Sequence, residues 1–314
     1  MFSVLCLSPA IDTTIALSKF PRPGDVIKGA NEVFAIGGKG LNVARWLSLR
    51  GERVRLSGIL GQKDPEPFEE ELKRYNIEDR LVRVPGPTRI NIMFCSPCGM
   101  FKMNRPAFPN LDASHLTPSL FSAAMTEDLP EQPSAAILSG SLPSAFPTDF
   151  YASLAHTLAT RQIPIVLDTA GEALRMGARA PVSLLKPNRS ECADLLGFNP
   201  QTEADFRHAI DLLLELAPYI ILSDGAYGCW FAARGDAQTP RCVHRLDSPL
   251  VPVADTTGAG DTLLAEFCYR FFSLHEGFTL ETMKHAIAAG AQATTRTGAL
   301  PPDLQEVEAL YKTL

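Results

Sequence analysis

Ala135-Ala136-Ile137-Leu138-Ser139-Gly140-Ser141 is an apolar run of strand length that stops on small, polar residues. An unbroken apolar run suits a strand buried on both faces, as in a parallel sheet covered by helices. The same form recurs at Ser3–Leu7, Val54–Leu60, Ile165–Asp168, Ser183–Lys186 and Tyr219–Ser223. Amphipathic segments of helical period lie between these runs: Leu41–Arg50, Pro65–Tyr75, Thr148–Thr160, Glu203–Leu216, Ala259–Phe272 and Leu280–Thr294. Repeated strand–helix alternation predicts an α/β sandwich around a mainly parallel sheet. Two stretches break the pattern. Thr13–Phe34 and Val82–Met103 read as short alternating strands, interrupted by Pro-Arg-Pro-Gly and Pro-Gly-Pro, and are expected to pair into a small side sheet. No low-complexity linker or internal repeat divides the chain, so residues 1–314 are expected to form one core domain with that side sheet as a lid.

The composition, 46% hydrophobic and 20% charged, suits a globular protein with a full core. A net charge of −6 lacks the electropositive footprint of a nucleic-acid binder, although a local cluster can oppose the global sign. The first residues carry neither a basic segment nor a long apolar stretch, so no signal peptide is expected, and no run reaches membrane-spanning length. Seven scattered cysteines read as reduced thiols of a cytoplasmic protein. Cys95-x-x-Cys98 is the one close pair, and without a second pair or a His cluster it does not make a zinc site.

In open α/β sheets, ligands bind beyond the carboxyl ends of the strands. Those positions hold Ser8-Pro9-Ala10-Ile11-Asp12, Ser139-Gly140-Ser141, Asp168-Thr169, Lys186-Pro187-Asn188 and Ser223-Asp224-Gly225, nearly all small or polar. Ala35-Ile36-Gly37-Gly38-Lys39-Gly40-Leu41-Asn42 leads into a helix. Its glycines let the backbone approach a ligand and Lys39 adds a cation, while a plain turn and cap is the alternative. It lacks the spacing and the Ser/Thr of a Walker A loop. Asn188 and Glu191 stand three apart, which fits a capping box or a pair of oxygens touching the waters of a hydrated Mg²⁺. Lys186 just before them could reach a nucleotide phosphate. Arg89 and Asn91 alternate onto one strand face, with Lys102-Met103-Asn104 on the expected neighbour. Either this is a solvated face, or with Lys39 it is a basic clamp on a phosphate already carried by the substrate.

Asp255-Thr256-Thr257-Gly258-Ala259-Gly260-Asp261 precedes a second helix. Bare N–H groups at a helix start attract anions through their unpaired donors and the macrodipole. Asp261 would repel a phosphate there, so it is either a cap or a participant in chemistry. A cap needs no Gly-Ala-Gly ahead of it. As a base, Asp261 takes the proton of an attacking hydroxyl while the Gly258–Asp261 amides hold the charge of a phosphoryl group in transfer.

Gly37-Gly38-Lys39-Gly40-x-Asn42-Val43-Ala44-Arg45 and Asp255-Thr256-x-Gly258-Ala259-Gly260-Asp261 resemble the two signatures of the PfkB/ribokinase family of sugar kinases, along essentially the whole chain and in the family's order. Ser8–Asp12, Thr88–Asn91, Leu138–Pro143, Leu167–Leu174 and Lys186–Asn188 are similar to its 1-phosphofructokinase and tagatose-6-phosphate kinase branch. The resemblance implies a ribokinase-like three-layer α/β/α sandwich with a β-sheet lid. It implies an ATP- and Mg²⁺-dependent kinase of a ketohexose monophosphate, with fructose 1-phosphate first and tagatose 6-phosphate or fructose 6-phosphate as alternatives. All three give a 1,6-bisphosphate.

Residue by residue, the resemblance makes Asp261 the base and Gly258, Ala259 and Gly260 the anion hole. Asp12, Gly38 and Asn42 correspond to sugar-hydroxyl contacts. Lys39, Arg89, Asn91, Lys102, Asn104 and Ser139 stand where this branch grips the existing phosphate or nearby sugar oxygens. Lys186, Asn188 and Glu191 match the nucleotide-phosphate and Mg²⁺ region, with Asn188 and Glu191 touching the metal through water. Ser223, Gly225 and Gly228 match the strand end beside ATP. The lid strands resemble those that cover the sugar and pair two subunits into a homodimer. Ser8 replaces the usual Asn, Thr13 stands where a basic residue is common, and Pro106-Ala107-Phe108-Pro109 replaces a Gly-Pro turn. Asp224 interrupts the common Ser-Leu-Gly. Two rivals from other classes are a sugar-phosphate-binding regulator without turnover and a dinucleotide oxidoreductase. The intact Gly-Ala-Gly-Asp argues against the first, and Ser8-Pro9-Ala10, which is no glycine fingerprint, against the second.

Overall fold

The computed structural model describes residues 1–27, 31–235 and 240–314; residues 28–30 of the expected Thr13–Phe34 excursion lie outside the described residues. The strands are β1 (Phe2–Cys6), β2 (Ala10–Ala16), β3 (Asn31–Gly37), β4 (Val54–Gly61), β5 (Ile77–Val84), β6 (Arg89–Ser96), β7 (Gly99–Met103), β8 (Ala135–Ser139), β9 (Ile165–Asp168), β10 (Leu184–Leu185), β11 (Tyr219–Ser223), β12 (Cys229–Ala233) and β13 (Cys242–Leu246). The helices are α1 (Lys39–Leu49), α2 (Glu66–Arg74), α3 (Pro118–Thr126), α4 (Phe150–Ala159), α5 (Gly171–Gly177), α6 (Arg189–Leu196), α7 (Glu203–Leu216), α8 (Ala259–Cys268), α9 (Leu280–Ala293) and α10 (Leu304–Tyr311).

The central sheet runs β13-β12-β11-β10-β9-β8-β1-β4-β5. It is parallel from β5 to β11, and β12 and β13 add antiparallel. Alternation along β8 shows how the layers form. Ala136 and Leu138 pack into one apolar cluster with residues of α3, α4, α5 and α7. Ala135 and Ile137 pack into the other, with residues of α1, α8 and α9. Every residue of β1, β4, β8 and β9 is buried, which is why their sequences read as continuous apolar runs. Each fully buried Leu or Ile in these layers contributes roughly 1.5–3 kcal/mol of transfer free energy.

Four strands form a separate sheet in the order β3-β2-β6-β7. β2 pairs antiparallel with β3 and parallel with β6, and β6 turns back on β7. The expected boundaries need correction. Val82–Val84 belongs to the central sheet, where β5 pairs with β4 as far as Gly61↔Val84, and the side sheet resumes only at Arg89. On the other side the first lid strand starts at Ala10 and ends at Ala16, earlier than the Thr13 start expected. Alternation reveals a half-buried strand but not which sheet it joins. The Ser183–Lys186 strand shortens to Leu184–Leu185; Pro187, which has no N–H, interrupts the ladder on its carboxyl side, and a single bridge between Asn188 and Ser223 follows. The expected Ala259–Phe272 helix changes winding: α8 ends at Cys268 and Tyr269–Ser273 forms a π turn. An apolar stripe does not distinguish i→i−4 from i→i−5 bonding over one turn.

Between α1 and α8 lies a fully buried carboxylate. Glu266 accepts hydrogen bonds from Trp46 Nε1 (2.8 Å), Arg50 Nε (2.6 Å) and Arg270 Nε (2.7 Å). Burial pushes its pKa up, but Arg50 and Arg270 outweigh it and hold the carboxyl below its ordinary value. Among the described residues, no helix is long and apolar enough to cross a membrane.

Candidate active site

Parallel strands bring their carboxyl ends to one edge, so Ser8, Ser139, Asp168, Lys186 and Ser223 arrive side by side through β1, β8, β9, β10 and β11. The N-termini of α1 and α8 open onto this edge. Gly258 caps α8 with φ 81°, a left-handed conformation, and a Cβ there would lie 3.1 Å from Ala299 Cβ. The left-handed φ favours glycine, and the tight contact adds to that preference. A Cβ on Gly260 would stand 3.5 Å from Lys186 Nζ, so that ammonium lies over the first turn of α8. Gly260 and Asp261 precede the start of the i→i−4 ladder, and their N–H groups add to the field at the helix mouth.

Asp261 does not cap its helix: α8 has no side-chain cap. Its Oδ2 instead accepts from Asn42 Nδ2 at 2.8 Å, within a buried pair joining α8 to α1. The loop before it is held by Asp255. That carboxylate accepts from the Thr257 N–H (2.9 Å) and Oγ1 (2.8 Å), and from the Gly298 N–H (3.0 Å).

The charge centre is Asp168, fully buried at the end of β9. Its Oδ1 receives both Lys39 Nζ (3.0 Å) and Lys186 Nζ (3.3 Å), while Oδ2 has no partner among the described residues. Lys39 Nζ also lies 3.8 Å from Glu191 Oε1. Burial pushes Asp168 up, but Lys186 and Lys39 outweigh it and hold the carboxyl below its usual range. Asp261 goes the other way. Burial raises it, the Asp168 charge adds to that, and Lys39, Asn42 and Lys186 only partly oppose. Burial also works against the Lys39 charge, yet Asp168, Asp261 and Glu191 together hold its proton more tightly than usual. Two neighbouring carboxylates driven apart in this way can divide the duties of charged anchor and proton acceptor.

The side sheet supplies a second group of residues. Asp12 Oδ1 accepts from Asn91 Nδ2 at 2.8 Å, as their direct pairing in β2 and β6 requires. Gly37 admits this carboxylate: a Cβ there would lie 2.2 Å from Asp12 Oδ2. Arg89 donates to the Ser8 carbonyl (3.2 Å) and the Arg105 carbonyl (3.4 Å), leaving Nε without a partner. Lys102 sits opposite Met93, on the face shared with Arg89 and Asn91, and reaches Thr257 Oγ1 at 3.4 Å. A cavity of about 10 Å³ lies between this face and the 255–257 loop, lined by Asp12, Asn91, Lys102, Asp255 and Thr257. Asn104 is exposed just beyond β7. Gly38 adopts φ 121°, packed 3.1 Å from Pro9 at the position a Cβ would take.

Other expected site residues are placed differently. Ser139 is fully buried with no partner for its Oγ. Asn188 and Glu191 form the reciprocal capping box of α6: the Glu191 N–H donates to Asn188 Oδ1 (2.9 Å) and the Asn188 N–H to Glu191 Oε2 (2.8 Å). Glu191 Oε1 remains to face Lys39. Ser223 and Gly225 lie further along the edge, at the turn from β11 to β12, and Asp224 there is 3.5 Å from Arg189 Nη1. Gly228 packs against the end of β13: a Cβ would fall 2.0 Å from the Leu246 carbonyl oxygen. Asp168 was legible only as one more polar residue at a strand end. The convergence of two lysines on it is a tertiary fact.

The family model of pfkB carbohydrate kinases matches residues 1–306. The chain is 27% identical to a 1-phosphofructokinase of Vibrio cholerae, covering 98% of this chain and 94% of that protein. It is 28% identical to a 1-phosphofructokinase of Rhodobacter capsulatus, covering 99% and 96%. In fold it is similar to the crystal structure of Escherichia coli phosphofructokinase-2 in complex with fructose-6-phosphate, with a TM-score of 0.82, 22% identity, and coverage of 100% and 98%.

Proposed function

Because the chain belongs to the pfkB family of carbohydrate kinases, we propose that it transfers the γ-phosphoryl group of ATP to the C6 hydroxyl of fructose 1-phosphate. The observation that carries this reading is the opposed pair of buried carboxylates, with Asp261 at the α8 mouth and Asp168 beneath two lysines. In the reaction, the C6 oxygen forms a bond to the γ-phosphorus, the bond from that phosphorus to the β,γ-bridging oxygen breaks, and the hydroxyl proton goes to Asp261. Fructose 1,6-bisphosphate and ADP result. Asn42 holds the base, and the amides at the start of α8 with Lys186 take up charge on the group in transit. Asp12 and Gly38 suit the sugar hydroxyls, and Arg89, Asn91 and Lys102 suit the phosphate that the sugar already carries. Lys39 stands between the sugar side and the nucleotide side. The turn at Ser223, Gly225 and Gly228 suits the nucleoside of ATP.

The donor set fits Mg²⁺ only in one way. No three His, Cys, Asp or Glu side chains converge as a cage among the described residues. Asp168 Oδ2, unpartnered among the described residues, and Glu191 Oε1, which faces Lys39 near Asn188, fit an ion that arrives on ATP phosphates and keeps its waters. When bound, that ion would neutralise phosphate charge. A second copy of the chain suits the lid, whose outer strands β3 and β7 expose Val33, Phe34, Phe101 and Met103.

The test is ADP release with Mg·ATP over fructose 1-phosphate, tagatose 6-phosphate, fructose 6-phosphate and fructose. The highest kcat/KM is expected with fructose 1-phosphate. A preference for a 6-phosphate would move the reaction to C1, and binding without turnover on all four would leave a sugar-phosphate-binding regulator.

A further inference from the structure

Arg45 lies three residues after Asn42 on α1, so the two side chains share one helix face. It is a cation with 1% exposure in a position that a Leu or Met could fill. Burying a charge costs several kcal/mol unless it is paired and hydrogen-bonded, so what Arg45 bonds to is informative. Its guanidinium donates to Asn42 Oδ1 (3.3 Å), the Ile36 carbonyl (2.6 Å) and the Ala299 carbonyl (3.4 Å), and pairs with Glu71 of α2 at 2.6 Å.

We infer that Arg45 is a positioning residue for phosphoryl transfer, fixing which end of the Asn42 amide faces Asp261. The two ends of an amide are almost the same size, so packing alone does not choose between them. A guanidinium has donors and no acceptor, and accepts only the oxygen end as neighbour. With Oδ1 held by Arg45, Nδ2 faces Asp261 Oδ2. Reversed, the amide would set an oxygen against the carboxylate and an N–H₂ against the guanidinium, two repulsive contacts in a buried site. Glu71 anchors the guanidinium from behind. Ile36 lies next to last in lid strand β3 and Ala299 packs on Gly258, so the same group ties both flanks of the site to the proposed base.

The groups facing Asp261 are Asn42 and Lys39 from α1, Asp168 from β9 and Lys186 beyond β10. Arg45 acts through Asn42 alone. The inference rests on Asp261 being the base, and the experiment separates the two. Arg45→Met, Asn42→Ala, their double variant and Asp261→Asn are compared by kcat/KM against pH with fructose 1-phosphate and Mg·ATP. For Arg45→Met, kcat is expected to fall about 10- to 100-fold, with KM for Mg·ATP within about 2-fold. Its acid limb should move to higher pH. Asn42→Ala should move it the same way, and the double variant no further than Asn42→Ala. An acid limb at the wild-type pH in Arg45→Met, or additive shifts in the double variant, overturns the inference. Should Arg45→Met not fold, Glu71→Gln carries the test from a less buried position: a smaller shift in the same direction is expected, and none overturns it. Near-normal turnover in Asp261→Asn would bring down the base itself, whereas lost turnover there with an unmoved limb in Arg45→Met brings down only the role of Arg45.

Discussion

Replacing Asp168 by Asn removes one negative charge and leaves two ammonium groups facing a neutral amide. Lys39 and Lys186 lie 3.0 Å and 3.3 Å from the same oxygen, and the carboxylate is fully buried. Removing one partner of a buried ion pair costs on the order of 3–5 kcal/mol, because the remaining charge, here that of the buried Lys186, stays desolvated. At roughly 2 °C per kcal/mol for a chain of this size, the melting temperature at pH 7 should fall by about 6–10 °C. The pH dependence has a definite sign. The folded pKa of Asp168 is lowered, so its stabilisation is present above the unfolded carboxylate value and lost as pH falls through the folded one. The difference in melting temperature between wild type and Asp168→Asn should therefore be full at neutral pH and shrink in acid. The same variant changes catalysis in the opposite sense to Arg45→Met. Asp168 raises the pKa of Asp261 by like charge, so with Asp261 as the proposed base its removal should move the acid limb of kcat/KM to lower pH. Scanning calorimetry at several pH values and a pH–rate profile read both. An unchanged melting temperature at pH 7, or a difference that widens toward acid, would refute the reasoning.

Asp261→Asn should lower kcat about 10²- to 10⁴-fold, the usual worth of a general base, while calorimetric affinity for Mg·ATP stays near wild type. Arg89→Ala should raise KM for phosphorylated sugars far more than KM for ATP, because the guanidinium sits on the lid side of the site; equal effects on both would count against the clamp.

The core was legible where burial on both faces left an unbroken apolar run, as in Ala135–Ser139 and Tyr219–Ser223, whose strands begin and end at those residues. Its less periodic parts were not. Cys229–Ala233 and Cys242–Leu246 add antiparallel at one edge, and only the ladder reveals them. The helix Gly171–Gly177 is too short for a periodic stripe. In the site, local chemistry read well: Asn188 and Glu191 stand at capping-box spacing and make that box. What depends on distant segments did not. Asn42 and Asp261 are 219 residues apart, and Lys39 and Asp168 are 129 apart. No spacing rule joins them, whereas the parallel sheet delivers both pairs to one edge.

Glu266 gives the site a mechanical property. Through Trp46 and Arg50 it fastens α1 to α8 behind their N-terminal ends, where Asn42 and Asp261 meet. The two helices therefore form a truss that holds Asp261 and Asn42 together. Any movement that admits or releases a sugar must be taken up elsewhere, by the four-stranded sheet and the loops around it. The alignment of Asn42 with Asp261 is set once, when the chain folds, and does not have to be rebuilt in each catalytic cycle.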